Sequence, residues 1–85
     1  MALNDDFTAA QERVKTLTTR PSNDSLLELY ALYKQATAGD NDGKRPGMLD
    51  LKGRAKHDAW AGQKGKSKDA AMTAYVALVA RLMKA

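Results

Sequence analysis

The sequence predicts an all-α domain, a four-helix bundle, on three observations. Four segments repeat apolar residues at three- and four-residue intervals, the spacing of a helix face. Each is bounded by residue types that start or stop helices. No stretch alternates apolar and polar residues as a half-buried strand does, and no internal repeat occurs. The 85 residues make one small domain, 1–85. A chain of this size buries roughly 60–65% of its unfolded surface, so its stability is modest.

The first segment has Leu3, Phe7, Ala10, Val14 and Leu17 on one face and predicts a helix from Leu3 to Leu17. Asn4 is placed to cap it. Asp5 and Asp6 fall in the first turn, where the helix dipole favours acids. Thr18-Thr19-Arg20-Pro21 ends it, because a residue before proline avoids helical geometry.

The second helix starts after Ser22 as N-cap, with Asp24 in its first turn, and runs to about Ala38. Gly39 is placed to stop it, since glycine takes the left-handed conformation at little cost. This helix is apolar on two faces. At about 100° per residue, Leu29, Leu32 and Ala36 share one stripe. Leu26, Tyr30, Tyr33 and Thr37 share a second, with Lys34 at its edge, and Asp24, Glu28 and Gln35 take the remaining face. A bundle helix needs one apolar stripe. The second calls for another helix, or for a ligand with an aromatic part and a negative charge.

Residues 38–50, AGDNDGKRPGMLD, show no periodicity and form a long irregular connection. Connections of this length are often functional, and Met48 and Leu49 are expected to tuck it onto the bundle. Asp50 caps a third helix, about Leu51 to Gly62, whose apolar stripe (Leu51, Ala55, Ala59) is thin. Lys52 and Lys56 share another of its faces, beside Trp60. Ser67 caps the fourth helix, with Asp69 in its first turn. Its broad stripe comprises Ala71, Met72, Tyr75, Val76, Leu78, Val79, Leu82 and Met83, with Thr73, Arg81 and Lys84 facing away.

Composition narrows the function. There is no cysteine, which removes disulfides, thiol catalysis and thiolate metal sites. A single histidine, His57, is too little for an all-protein zinc site. No apolar run approaches the ~20 residues of a membrane span. The start, MALNDDF, has neither the basic nor the apolar region of a secretory signal. These features predict a cytoplasmic protein without membrane insertion. The net charge is +4 and uneven. Between Lys44 and Lys68 eight basic residues stand against two acids, and elsewhere six stand against eight. That asymmetry points to an anionic partner, although lysines can also simply solvate a surface.

No catalytic constellation is present. His57 has no nucleophile partner, and the acids sit mostly at helix starts, where capping explains them. There is no phosphate-binding glycine loop. What remains is a set of binding groups. Tyr30 and Lys34 lie one turn apart and can both donate hydrogen bonds to a phosphate, and a tyrosine face can stack on a base. Spacing alone equally fits tyrosines packed between helices, with Lys34, Lys52 and Lys56 solvated. By pattern Tyr75 and Trp60 read as core residues.

The order of motifs decides between these readings. Tyr30-Ala31-Leu32-Tyr33-Lys34-Gln35-Ala36-Thr37-Ala38-Gly39-Asp40 is followed by Arg45-Pro46-Gly47-Met48-Leu49-Asp50. Then come Lys52-Gly53-Arg54-Ala55-Lys56, Asp58-Ala59-Trp60, and Lys64-Gly65-Lys66-Ser67-Lys68-Asp69-Ala70-Ala71-Met72 with Tyr75-Val76. In order and spacing, over about Phe7 to Leu82, these blocks resemble the acyl-CoA-binding protein family. The resemblance implies an up-down-down-up four-helix bundle that is not an enzyme and needs no cofactor. It implies an intracellular carrier of medium- to long-chain acyl-CoA thioesters. By the same resemblance Tyr30, Lys34 and Lys56 hold the 3′-phosphate and Tyr33 stacks on the adenine. Tyr75 is a further ligand contact, Lys15 lies near the headgroup, and Leu26 and Leu27 lie beside the acyl chain. It also implies a monomer in transient contact with acyl-CoA-using enzymes. His57 stands where family members usually carry an aromatic side chain; Leu32 and Gln11 also depart from the family. The competing reading, from the basic stretch and tyrosines alone, is a small helical nucleic-acid-binding domain.

Overall fold

The computed structural model describes residues 2–84. Among them four helices and no strand are found: α1 (Leu3–Val14), α2 (Asn23–Thr37), α3 (Leu51–Ala61) and α4 (Lys68–Lys84). This is the expected all-α architecture. Helix α4 packs against both α1 and α2, and α3 packs against α2 alone.

Capping chemistry sets most of the boundaries. The Ser22 hydroxyl accepts the Ser25 amide at 3.2 Å, and the Ser67 hydroxyl accepts the Ala70 amide at 3.0 Å. The Asp50 carboxylate accepts the Gly53 amide at 2.9 Å. These bonds satisfy amides that the first turn of a helix leaves without partners. A Cβ on Gly53 would run into that carboxylate, so the cap requires glycine there. Helix α2 stops where Gly39 turns left-handed, at φ 87°.

The first helix departs from expectation at both ends. Asn4 lies inside it, and Ala2 occupies the N-cap with no side-chain bond. Its C-terminus falls at Val14, not Leu17. Lys15, Thr16 and Leu17 bond back three residues, and the Thr16 hydroxyl donates to the Arg13 carbonyl at 2.7 Å. The last turn therefore tightens into a 3₁₀-like exit.

The core lies between α1, α2 and α4. Phe7 and Ala10 meet Leu29, Leu32 and Ala36, and these meet Ala71, Tyr75, Leu78 and Val79. Val14, Leu26, Met72, Val76, Leu82 and Met83 pack around them. The first apolar stripe of α2 and the broad stripe of α4 are thus buried as read.

Four side chains are placed differently from the sequence reading. Gln35, assigned to the polar face, is completely buried. Its Nε2 donates to the Asp40 carboxylate and to the Lys66 carbonyl, both at 2.8 Å. Asp40 also accepts the Gly65 amide at 2.9 Å. One amide thereby ties α2 to the 38–50 connection and to the α3–α4 turn. Met48 and Leu49 do not tuck inward; they are 78% and 100% exposed. The connection is held by polar bonds instead, so it has no need of an apolar anchor. Trp60 is only half-buried and lies outside the core. Its indole N–H needs an acceptor, and it donates to the Gly39 carbonyl at 2.8 Å.

Candidate functional site

Helix α3 buries none of its residues, so its contact with α2 stays open along one side. There the two helices enclose a groove of about 470 Å³, a size typical of small-molecule sites. Leu26, Leu27, Leu51 and Ala55 give it apolar walls, and Arg20, Lys52 and Lys56 bring positive charge. Tyr30 and Asn23 complete it. Helical spacing explains the lining. Asn23, Leu26, Leu27 and Tyr30 recur at three and four residues along α2, as Leu51, Lys52, Ala55 and Lys56 do along α3.

The ammonium of Lys56 lies 5.4 Å from the Tyr30 ring centre, spanning the two helices. One turn further along α2, the ammonium of Lys34 lies 5.0 Å from the Trp60 ring centre. Both distances are those of cation–π contacts. Each lysine is thus held against α3 or α2 by an aromatic face while its N–H donors stay available to an anion.

A second aromatic group lies on the α1 and α4 side of α2. Phe7 stacks on Tyr33 at 6.1 Å and meets Tyr75 edge-on at 5.1 Å. Tyr33 keeps 39% of its surface exposed, whereas Tyr75 is buried. Burial, and then the neighbouring Tyr33, push the Tyr75 phenol above its ordinary pKa. It therefore stays protonated and able to donate.

The eight residues singled out from sequence are thus not gathered in one place. Leu26, Leu27, Tyr30 and Lys56 share the groove. Lys34 lies against Trp60, and Tyr33 and Tyr75 share the Phe7 cluster. Lys15 lines none of these; it follows α1 as C-cap and faces Glu12 at 3.6 Å. The sequence reading missed Arg20, Asn23, Leu51 and Ala55 as groove residues. Arg20 could have been found as a basic residue just before the α2 cap. Its guanidinium donates to the Asn23 side chain at 3.3 Å, which fixes it at the groove's end.

Behind the groove, α3 is fastened to the 38–50 connection. Arg45 makes a two-pronged pair with Asp58, at 3.0 and 2.7 Å. His57 Nε2 lies 3.1 Å from the Gly43 carbonyl, and Asn41 donates to the His57 carbonyl at 3.4 Å. Arg45 holds the Asp58 carboxyl below its usual pKa, and the Gly65 amide, with Gln35, does the same for Asp40.

An apolar trough with a basic, tyrosine-bearing edge suits a molecule that is apolar at one end and anionic at the other. Known proteins point the same way. The family model described as "Acyl CoA binding protein" matches residues 4–79. The chain is 56% identical over 81 residues to the acyl-CoA-binding protein homolog of Drosophila melanogaster, covering 95% of this chain and 94% of that one. It is 60% identical over 77 residues to the acyl-CoA-binding protein homolog 1 of Caenorhabditis elegans, covering 91% and 90%. Among solved structures, acyl-CoA-binding protein 2 of Oryza sativa superposes with a TM-score of 0.93 at 44% identity, covering 98% of this chain and 92% of that one. The solution structure of the yeast acyl-coenzyme A-binding protein gives 0.71 at 51% identity, covering 92% and 91%. Sequence and backbone agree over nearly the whole length, and the chain belongs to the acyl-CoA-binding protein family.

Proposed function

We propose that this protein binds and carries fatty acyl-CoA thioesters and catalyses no reaction. The observation that carries this reading is the α2–α3 groove, where Leu26, Leu27, Leu51 and Ala55 adjoin Tyr30, Lys52 and Lys56. Each methylene of an acyl chain transferred there contributes roughly 0.8 kcal/mol. Each charge-assisted hydrogen bond to a phosphate contributes roughly 1.5–3 kcal/mol before ordering costs.

In detail, Tyr30, Lys34 and Lys56 hold the 3′-phosphate. Tyr33 stacks on the adenine from its exposed position, and Tyr75, which meets Phe7 edge-on, supplies a further contact. Leu26 and Leu27 receive the acyl chain, of medium to long length. Lys15 adds positive charge toward the headgroup from the end of α1. The carrier is a monomer in the cytoplasm and meets acyl-CoA-using enzymes transiently. A nucleic-acid role uses the lysines but leaves the apolar trough without an occupant.

Calorimetric titration with free CoA, octanoyl-CoA and palmitoyl-CoA at low and high salt tests this. Affinity should rise with chain length and largely survive added salt, since the apolar part is not screened. Equal affinity for all three, or loss of all binding at high salt, would refute the groove as the seat of the acyl chain.

A further inference from the structure

We propose that Arg20 receives the far end of the bound chain, so that the groove accepts acyl-CoA thioesters whose chain ends in a second carboxylate. The inference rests on the carrier reading above and extends it to a class of cargo. At one end of the groove the Lys56 ammonium lies 5.4 Å from the Tyr30 ring centre. Asn23 stands seven residues earlier on α2, a distance of about 10 Å at the rise of a helix. Arg20 is bonded to Asn23 at that far end, and Leu26 and Leu27 occupy the stretch between. Helix α3 runs alongside α2 in the same direction, since Lys56 meets Tyr30 and Trp60 meets Lys34. Lys52, one turn before Lys56, therefore adds its charge on the Arg20 side of that pair.

The guanidinium has donors to spare. Among the described residues Arg20 pairs with no acid, and its side-chain bond goes to the neutral Asn23, at 3.3 Å. No acidic side chain lines the groove either. That bond uses one guanidinium N–H, and the others remain for an anion. A planar guanidinium matches a carboxylate with two parallel hydrogen bonds. The headgroup phosphates are the poorer occupant. On the carrier reading the 3′-phosphate is met at Tyr30, Lys34 and Lys56, and apolar walls separate that set from Arg20. A methyl terminus would lie against the guanidinium without gaining a bond from it.

Beyond Arg20 the lining changes character. The same residue borders a second cavity, of about 420 Å³, between the α1–α2 connection and the end of α4. Thr18, Thr19 and Ser22 line it beside Leu82 and Met83. Hydroxyl groups and water there can solvate the outer side of a carboxylate. The charged terminus then keeps part of its hydration, which lowers the cost of bringing it to an apolar trough.

The test is calorimetric titration of the full chain with two matched pairs of ligands. They are lauroyl-CoA against dodecanedioyl-CoA, and palmitoyl-CoA against hexadecanedioyl-CoA, each diacid joined to CoA through one carboxyl. The quantity read is the ratio of affinities within a pair, in which any uniform change in headgroup binding cancels. Apolar walls alone should disfavour the terminal carboxylate by roughly tenfold or more. For wild type the diacid should bind within about threefold of its partner at one chain length or both. Arg20→Met, which keeps the stem and removes the charge, should lower that ratio roughly tenfold, and Arg20→Lys should restore part of it. Raised salt should lower the wild-type ratio, which gives the same reading without a variant. Circular dichroism reports whether each variant is folded. Wild type that binds palmitoyl-CoA but rejects both diacid thioesters would overturn this proposal alone. An equal ratio in wild type and folded Arg20→Met would overturn it as well. Wild type that ignores lauroyl-CoA and palmitoyl-CoA would sink the carrier reading, and this proposal with it.

Discussion

On the α1, α4 and α2 side of the molecule, Phe7, Leu29, Leu32, Leu78 and Val79 are buried together. Helix α3 itself has no buried residue. It is kept in place by the Arg45–Asp58 pair, the His57 and Asn41 bonds to the connection, and the indole of Trp60 on the Gly39 carbonyl. The two regions use different physics. Apolar burial contributes most of a small domain's stability, whereas exposed polar pairs contribute little but fix direction. The candidate groove lies at the seam between them, with one rigid wall and one lightly held wall. A surface that must accept a ligand cannot also fill itself with its own side chains.

The contrast can be broken most severely from the buried side. Leu32→Ala should cost roughly 2–5 kcal/mol, the range for truncating a core leucine. A shifted urea midpoint at unchanged slope would register it. Gln35→Ala should cost about 1–3 kcal/mol despite removing a polar residue, because it strips the Lys66 carbonyl and Asp40 of a buried donor. A substitution without effect there would mean that the amide only fills space.

On the α3 side the same assays should separate binding from stability. Lys34→Ala and Tyr30→Phe should each leave unfolding within about 0.5 kcal/mol of wild type. Each should weaken long-chain acyl-CoA binding roughly tenfold or more. Unchanged affinity in both would remove the assigned phosphate site.

The smallest effect is a dependence on acid. Asp40 and Asp58 have folded pKa values below the ordinary 3.8. The unfolded chain therefore takes up protons first as pH falls. The stabilisation these groups give is complete above that value and is lost as pH drops through the lowered ones. Both are solvent-exposed, so the loss is slight. It should appear first in Trp60 fluorescence, before helicity falls, and Arg45→Ala should move it toward higher pH. Simultaneous loss of both signals would mean that α3 and the core yield as one.

How legible each region was follows from the same division. Helices packed by apolar stripes were readable, because period and burial coincide in Phe7, Leu29, Leu32 and Val79. Caps at Ser22, Asp50 and Ser67 were readable because their bonds reach only three residues along the chain. Gln35 was misread because a helical projection treats a polar side chain as outward. Its acceptors, at Asp40 and Lys66, come from elsewhere in the chain and leave no periodic trace. Met48 and Leu49 were misread for the converse reason: apolar character permits burial and does not compel it. Asn4 was misplaced by a boundary shift of two residues, beyond what pattern resolves. The groove combined both cases. Leu26, Leu27, Tyr30 and Lys56 were named through the family resemblance. Arg20 and Leu51 needed the helix pair in space, since nothing local says which end of α3 lies beside the start of α2.

Because α3 touches no helix but α2, it can detach without the core opening. Its amides should then exchange with deuterium through a low-energy local event, while those of α4 wait for global unfolding. A molecule lying in the groove would bridge α3 to α2 a second time, and mass action would suppress that detachment in proportion to occupancy. The exchange rate of one helix would thus report how much of the population is loaded. A protease that recognises the opened strap would cut empty carriers and spare full ones.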